Sequence, residues 1–273
     1  MNRRTALLEI LTLPLAARAA RIGTMQPGEG WEPLFNGRDI VGWDTWLGKP
    51  YGLNSDPKGV FSVVQVDGSS AIRISGEVYG ALTTRAEYEN YHLRFEFKWG
   101  ERRWPPREQA VRDSGCCYHG VGPHGASYGF WLRSFEFQIQ EGDCGDFYSL
   151  AGVIVDVQAV PHDPAKGEIL YKKGAPRVTG HTKRIVKDAD HERPRGEWNT
   201  LELYCVGQTS AHVVNGRVNM VLNGLRHRID GREVPLTKGR IQFQSEAAEV
   251  FYRNIAVRSI REIPAAITGG QAA

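Results

Sequence analysis

The sequence predicts an all-β protein, a β-sandwich or jelly roll, on three observations. Short runs that alternate between apolar and polar residues recur along the chain, with Gly, Pro, Asn and Asp between them. Seven Trp, ten Tyr and ten Phe accompany 31 Gly and 14 Pro, a mixture that favours strands and turns over helices. Beyond the N-terminal leader, no segment of comparable length carries a helical period.

The expected strands, in order, are residues 61–66, 71–75, 81–84, 92–99, 115–119, 135–140, 153–158, 200–206, 211–214, 218–222, 239–244 and 250–259. Asn215-Gly216 and Asn223-Gly224 read as hairpin turns, because both central residues of such a turn need positive φ. A further hairpin through Ala247 and Ala248 is expected to bring Arg253 and Asn254 beside Gln244. Residues 100–113 and 161–195 resist a strand reading. Long loops in a compact domain tend to be functional, and the second, with His162, His181 and His191, is expected to wall a site.

Length and composition suit one soluble domain. Lys and Arg exceed Asp and Glu by 34 to 31, too small a surplus for a nucleic-acid partner, and no basic stripe interleaved with aromatics is present. After the leader no stretch is apolar for long enough to span a bilayer. Arg3 and Arg4 precede an apolar run over 6–17, and small residues at Ala17 and Ala19 fit cleavage after Ala19, although Glu9 and Arg18 are atypical. Residues 1–30 therefore read as signal peptide and linker, 31–262 as one domain, and 263–273 as a flexible tail. Export to the periplasm or the extracellular space follows. In an exported protein, Cys144 is expected to pair with Cys116 or Cys117, with Cys205 a buried thiol in its strand.

The most informative stretch is 135–146. Phe135, Phe137 and Ile139 belong on one face of a strand, and Glu136, Gln138 and Gln140 on the other. Three long hydrogen-bonding side chains running into an acidic turn resemble a surface built to bind a polyol such as a carbohydrate; a solvated sheet face is the plain alternative. Gln242, Gln244 and Glu246 repeat the pattern opposite Ile241 and Phe243, which points to one shared polar surface. Residues 112–119 deliver His119 at a strand end, where a neighbouring Glu136 would make it an acid, a base or a metal ligand. Glu141, Asp143 and Asp146 have oxygen ligands for Ca²⁺ but not the spacing of an EF-hand, and a plain acidic turn is the simpler reading. In the strand 92–99, Arg94 and Glu96 read as cross-strand charge pairs.

Seven ordered blocks carry a resemblance to a known family. They are Leu34-Phe35-Asn36-Gly37-Arg38-Asp39 with Gly42-Trp43; Leu82-Thr83-Thr84 to Tyr88; Arg112-Asp113-Ser114-Gly115; Glu136 to Asp143; Trp198-Asn199-Thr200; Asn223-Gly224; and Gln244-Ser245-Glu246 to Arg253-Asn254-Ile255. In these the chain resembles the 3-keto-disaccharide hydrolase domain family of sugar-degrading bacteria. The resemblance implies a concanavalin-like, lectin-type jelly roll and a carbohydrate substrate, a 3-keto-glycoside opened by β-elimination and hydration. It implies Glu136 as base, His119 as acid or second base, and Glu246 as partner carboxylate. Gln138, Gln140, Gln244, Arg253, Asp113 and Trp43 become substrate contacts, and a divalent metal ion is a candidate cofactor. Two other classes fit the same residues. One is a binding module stacking sugars on Trp43, Trp46 and Tyr51; the other is a conventional two-carboxylate glycosidase.

Overall fold

The computed structural model describes residues 30–269, so the expected signal peptide lies outside the described residues. From residue 30 onward the chain folds into a jelly-roll sandwich of two sheets. One sheet runs in the order β4 (Phe61–Val66), β5 (Ser69–Ile74), β21 (Ala248–Ser259), β8 (Tyr91–Arg103), β16 (Asn199–Val206), β17 (Thr209–Val214), β18 (Arg217–Ile229), β12 (Ile154–Asp163) and β14 (Arg177–His181). β1 (Glu32–Pro33) also pairs with β21, and β19 (Arg232–Pro235) with the outer half of β18.

The other sheet carries the site. Its order is β3 (Gly52–Leu53), β2 (Trp43–Leu47), β6 (Gly80–Thr84), β20 (Lys238–Ser245), β9 (Asp113–Val121), β10 (Arg133–Gln140), β11 (Phe147–Leu150), β15 (Ile185–Val186) and β13 (Glu168–Tyr171). β7 (Tyr88–Glu89) adds to the start of β20, and β12 bridges the sheets by pairing with β13.

The alternation read from the sequence decides what lies between the sheets. Leu93, Phe95, Phe97 and Trp99 from β8 meet Phe135, Phe137 and Ile139 from β10 and Ile241 and Phe243 from β20 in one core. Phe95 packs edge-on against Phe243 at 5.0 Å, and Phe243 stacks on Tyr252 at 4.4 Å, which ties the two sheets together. The polar side of β8 pairs across its sheet as expected: Arg94 with Glu202 at 3.8 Å, and Glu96 with Arg253 at 2.7 Å.

Several local expectations change. Asn215-Gly216 does turn between β17 and β18, but Asn223-Gly224 lies within β18. There Gly224 takes φ 58° at a register irregularity against β12, and a Cβ would come within 2.7 Å of Asp156 Oδ2. Its positive φ serves a bulge rather than a hairpin. The turn through Ala247 passes from one sheet to the other, so β20 and β21 are not partners and Arg253 stands apart from Gln244. All four cysteines are buried free thiols, so the pairing expected for Cys144 is not formed. Residues 263–269, expected as flexible tail, include a helical turn, Ala265–Thr268. Ile263 and Ile267 pack there on Tyr204, Val213 and Val221.

Residues 161–195 are also more ordered than their composition predicts, since they supply β13, β14 and β15. They brace the acidic turn after β10. Asp146 is fully buried and accepts from Arg184 Nε at 2.8 Å, Arg184 Nη2 at 2.6 Å and the Lys187 backbone N–H at 3.0 Å. Arg184 also reaches Asp143 at 2.8 Å, while Glu141 pairs with Arg112 at 3.0 Å. The turn's carboxylates are thus held by cations.

Removing one partner of a buried pair leaves an uncompensated charge. Arg184→Ala is expected to cost about 3 kcal/mol of stability, measured by urea unfolding. Arg184→Ala combined with Asp146→Asn should cost less than the sum of the two single changes.

Candidate active site

Three neighbouring strands build the site floor. On β9 the inward set is Ser114, Cys116 and Tyr118, which leaves Asp113, Gly115 and Cys117 on the outer face. The register places Asp113 opposite Gln140, Gly115 opposite Gln138 and Cys117 opposite Glu136. On the other flank Gln242 faces Cys117, and Glu246 bridges to Asp113. The two polar strand faces recognised in the sequence therefore converge on one surface, with β9 between them.

A cleft of about 520 Å³ opens over this surface, lined by Glu136, Gln138, Gln140, Gln244, Asp113 and Glu246. Its walls are Arg107 from the loop after β8 and the aromatic side chains of Tyr79, Tyr128, Phe130, Trp131 and Tyr148. Gln242 does not itself line the cleft. Its amide accepts from Leu132 N–H at 2.9 Å and donates to Thr83 Oγ1 at 2.7 Å, which anchors the loop that carries Tyr128, Phe130 and Trp131.

Gly115 makes the centre possible. A Cβ there would lie 2.3 Å from Glu136 Oε1 and 2.5 Å from Gln244 Oε1, closer than any real contact. Two long polar side chains thus fold over a position that has none of its own. Glu136 is 4 % exposed and Gln244 is 1 % exposed. Gln244 donates to Cys117 Sγ at 3.4 Å, and its Oε1 has no partner. Gln140 donates to Asp143 Oδ2 at 2.6 Å and accepts from Arg107 Nη2 at 2.9 Å, whereas the Gln138 oxygen accepts from the Ile139 N–H at 2.9 Å.

The electrostatics follow from crowding three carboxyl groups together with little solvent, Glu136 and Asp113 buried and Glu246 half-buried. Burial raises Glu136 well above the ordinary carboxylate range, the charges of Glu246 and Asp113 raise it further, and contact with Gln244 opposes the shift. Burial also pushes Glu246 up to about 8, with Asp113 adding to the rise and Arg107 opposing it. Asp113 is pushed up to about 7 by burial, again against Arg107. Asp113 and Glu246 titrate as a pair and hold a proton between them near neutral pH. Arg107 pairs with Asp113 at 2.8 Å and stands 3.9 Å from Glu246. Such a constellation can take up and give back protons near neutrality.

Of the nine residues expected at the site, six line the cleft: Glu136, Glu246, Gln138, Gln140, Gln244 and Asp113. Three lie elsewhere. His119 has φ 50° at an irregularity in the β9 pairings, which breaks the alternation and turns the ring into the core against Tyr91, Tyr118 and Phe135. Its Nδ1 meets Leu236 O at 3.1 Å, and burial lowers it to about 4, so it is neutral. Trp43 is a core residue that donates to Leu34 O at 2.7 Å. Arg253 lies on the opposite sheet, paired with Glu96 and covering Trp198 at 3.8 Å. Trp46 stacks on His124 and donates to Gly129 O at 3.1 Å, while Tyr51 packs against the core. Among the described residues no group of three or more His, Cys, Asp and Glu is placed to hold a metal ion.

Residues 161–195 buttress the turn below Gln140 but do not wall the cleft, contrary to expectation. Sequence reasoning missed Arg107 and the aromatic wall. Arg107 sits in the flagged segment 100–113 without any periodic context, and Tyr148 is recognisable only once β11 pairs it with Glu136.

The fold has solved counterparts. A provisionally assigned glycosyl hydrolase from Parabacteroides distasonis ATCC 8503 aligns with 85 % of this chain and 100 % of its own, at 22 % identity and a TM-score of 0.50. A second protein from that organism, described in the same terms, covers 85 % of this chain and 94 % of its own at 18 % identity and a TM-score of 0.50. No curated protein matches the sequence. The model of the 3-keto-alpha-glucoside-1,2-lyase-like domain family matches residues 30–258, nearly the whole described chain, with the three floor strands and both polar faces inside the match. The chain belongs to the 3-keto-alpha-glucoside-1,2-lyase-like domain family.

Proposed function

We propose that the cleft binds a glycoside whose ring carries a ketone at C3 and cleaves it by β-elimination followed by hydration. The observation that supports this most is the trio of carboxyl groups, buried Glu136 and Asp113 with half-buried Glu246, beside an amide floor in a chain of this family. The C3 ketone acidifies the C2 proton. A carboxylate takes that proton, and the C2–H electrons form an enolate with its charge on the C3 oxygen. The enolate then collapses: the ketone re-forms, C1=C2 forms, and the C1–O bond breaks as its oxygen takes a proton. Water adds across C1=C2, hydroxyl to C1 and proton to C2, so the net change is hydrolysis.

Glu136 is the base in this reading. Its raised pKa makes the ionised form a strong base, at the cost of a smaller ionised fraction. The Asp113–Glu246 pair holds the proton that the leaving oxygen needs. This replaces His119, whose neutral ring faces the core. Gln138, Gln140 and the unpartnered oxygen of Gln244 supply hydrogen bonds to sugar hydroxyls, and the aromatic wall offers stacking faces.

Incubation with a 3-keto-glucoside and with its unoxidised parent, each with and without chelator, tests the reading directly. Aglycone release from the ketone alone is expected; equal release from the parent would indicate an ordinary glycosidase, and none from either a binding module. Glu136→Gln should lower kcat/KM by about 10²-fold or more. In the wild type kcat/KM should rise with pH above the range of an ordinary carboxylate, and the variant should lose that rise. Stability carries its own signature. The folded protein holds Asp113 and Glu246 protonated where the unfolded chain has released both, so this pair's contribution to stability is fully present below about pH 4 and is lost as pH rises to about 8. Glu246→Gln should flatten that slope in urea titrations across the window.

A further inference from the structure

Resting on the elimination reading, we infer that Arg107 is a catalytic residue that holds the developing enolate oxygen. An enolate formed beside Asp113 and Glu246 would meet the negative charge that this pair carries, and a cation is needed to oppose it. Arg107 is the sole Lys or Arg among the residues lining the cleft, and a guanidinium keeps its charge at every pH relevant to the reaction.

Its hydrogen bonds leave donors free. Nη2 is committed to Asp113 Oδ2 at 2.8 Å, Gln140 Oε1 at 2.9 Å and, more weakly, Val111 O at 3.4 Å. Those partners fix the plane of the group. Nη1, by contrast, meets Glu246 only at 3.9 Å, beyond hydrogen-bonding range, and Nε is buried with no partner. Two other buried polar atoms of the site are also unpartnered, Asp113 Oδ1 and Gln244 Oε1. Buried donors and acceptors without partners are rare in folded proteins. Their concentration at one cleft is what a polar ligand would complete, with Arg107 supplying donors toward an oxyanion.

The charge count supports the assignment. While Asp113 and Glu246 share one proton, their single negative charge balances Arg107. As the C2 proton moves to the base, negative charge grows on the C3 oxygen, and the pre-positioned guanidinium stabilises it without reorganising. When the pair's proton passes to the leaving oxygen, the ketone has re-formed and the enolate charge is gone, so Arg107 returns to balancing carboxylates.

The test compares wild type, Arg107→Ala and Arg107→Lys on a 3-keto-glucoside, reading kcat and KM separately from about pH 5 to 9. Arg107→Ala is expected to lose about 10²–10³-fold in kcat with little change in KM. Arg107→Lys should keep part of the activity, and added guanidinium should restore part of it to the Ala variant. Loss of the cation also raises the pKa of the carboxyl pair, so the descending limb of the profile should move to higher pH. Unchanged kcat, or a loss that appears only as weaker KM, would overturn the assignment. So would a loss that disappears once pH is adjusted, since Arg107 would then act only through the carboxyls. Matching thermal unfolding and far-UV spectra of the variants guard against misfolding. Absence of release by the wild type would sink the elimination reading and this inference with it, whereas release by wild type and Ala variant alike sinks the inference alone.

Discussion

Three carboxyl groups taken out of water on the outer face of a sheet impose the constraint from which the rest of the site follows. Such a face is normally solvated, and its charges titrate near their ordinary values. Here the loop after β8 and the aromatic loop anchored by Gln242 roof it over, so Glu136 and Asp113 are buried and Glu246 is half-buried beside them. Desolvation and mutual repulsion both favour the protonated forms. A surface of ordinary acids becomes a set of groups whose pKa values are all raised, Asp113 and Glu246 into the neutral range, with one guanidinium to limit the repulsion.

Holding those groups in place requires backbone geometry as much as side chains. The missing Cβ of Gly115 leaves the space into which Glu136 and Gln244 fold. Two residues further along, Cys117 lies on the same face and touches Gln244, and the strand then breaks its alternation at His119. The irregularity has a structural result. It puts a neutral imidazole into the core among aromatic rings and frees the chain to enter the loop that carries the aromatic wall. Position on a strand, rather than residue type, decides which groups reach the cleft.

The acidic turn after β10 looks like a metal loop by composition but acts as a foundation. Asp146 is buried against Arg184 and Lys187, and Asp143 links Arg184 to Gln140. A continuous run of charged contacts thus extends from the segment 161–195 through the turn to Gln140 and Arg107. This couples a polar insertion, distant in sequence, to the floor of the site. The arrangement accounts for why a segment rich in Lys, Asp and Pro is ordered at all: its cations neutralise carboxylates that folding has buried.

The sequence by itself determined the sheet class, the twelve expected strands, the inward set of β8 and β10, and the two polar strand faces, because a period of two is a local property of the chain. The seven ordered blocks also indicated the family, since their order and spacing survive without any knowledge of packing. Tertiary structure alone decided which polar residues meet. Arg253 was separated from Gln244 by a turn that changes sheets, His119 was inverted by a single irregular residue, and Trp43 was claimed by the core. Arg107 and Tyr148 joined the site from a loop and from a strand that short-range patterns do not reveal. Alternation is set by neighbours along the chain, whereas sheet membership, bulges and burial are set by partners far from it. The pKa shifts belong wholly to the second kind, for they arise only when separate strands place like charges together and a roof removes the water.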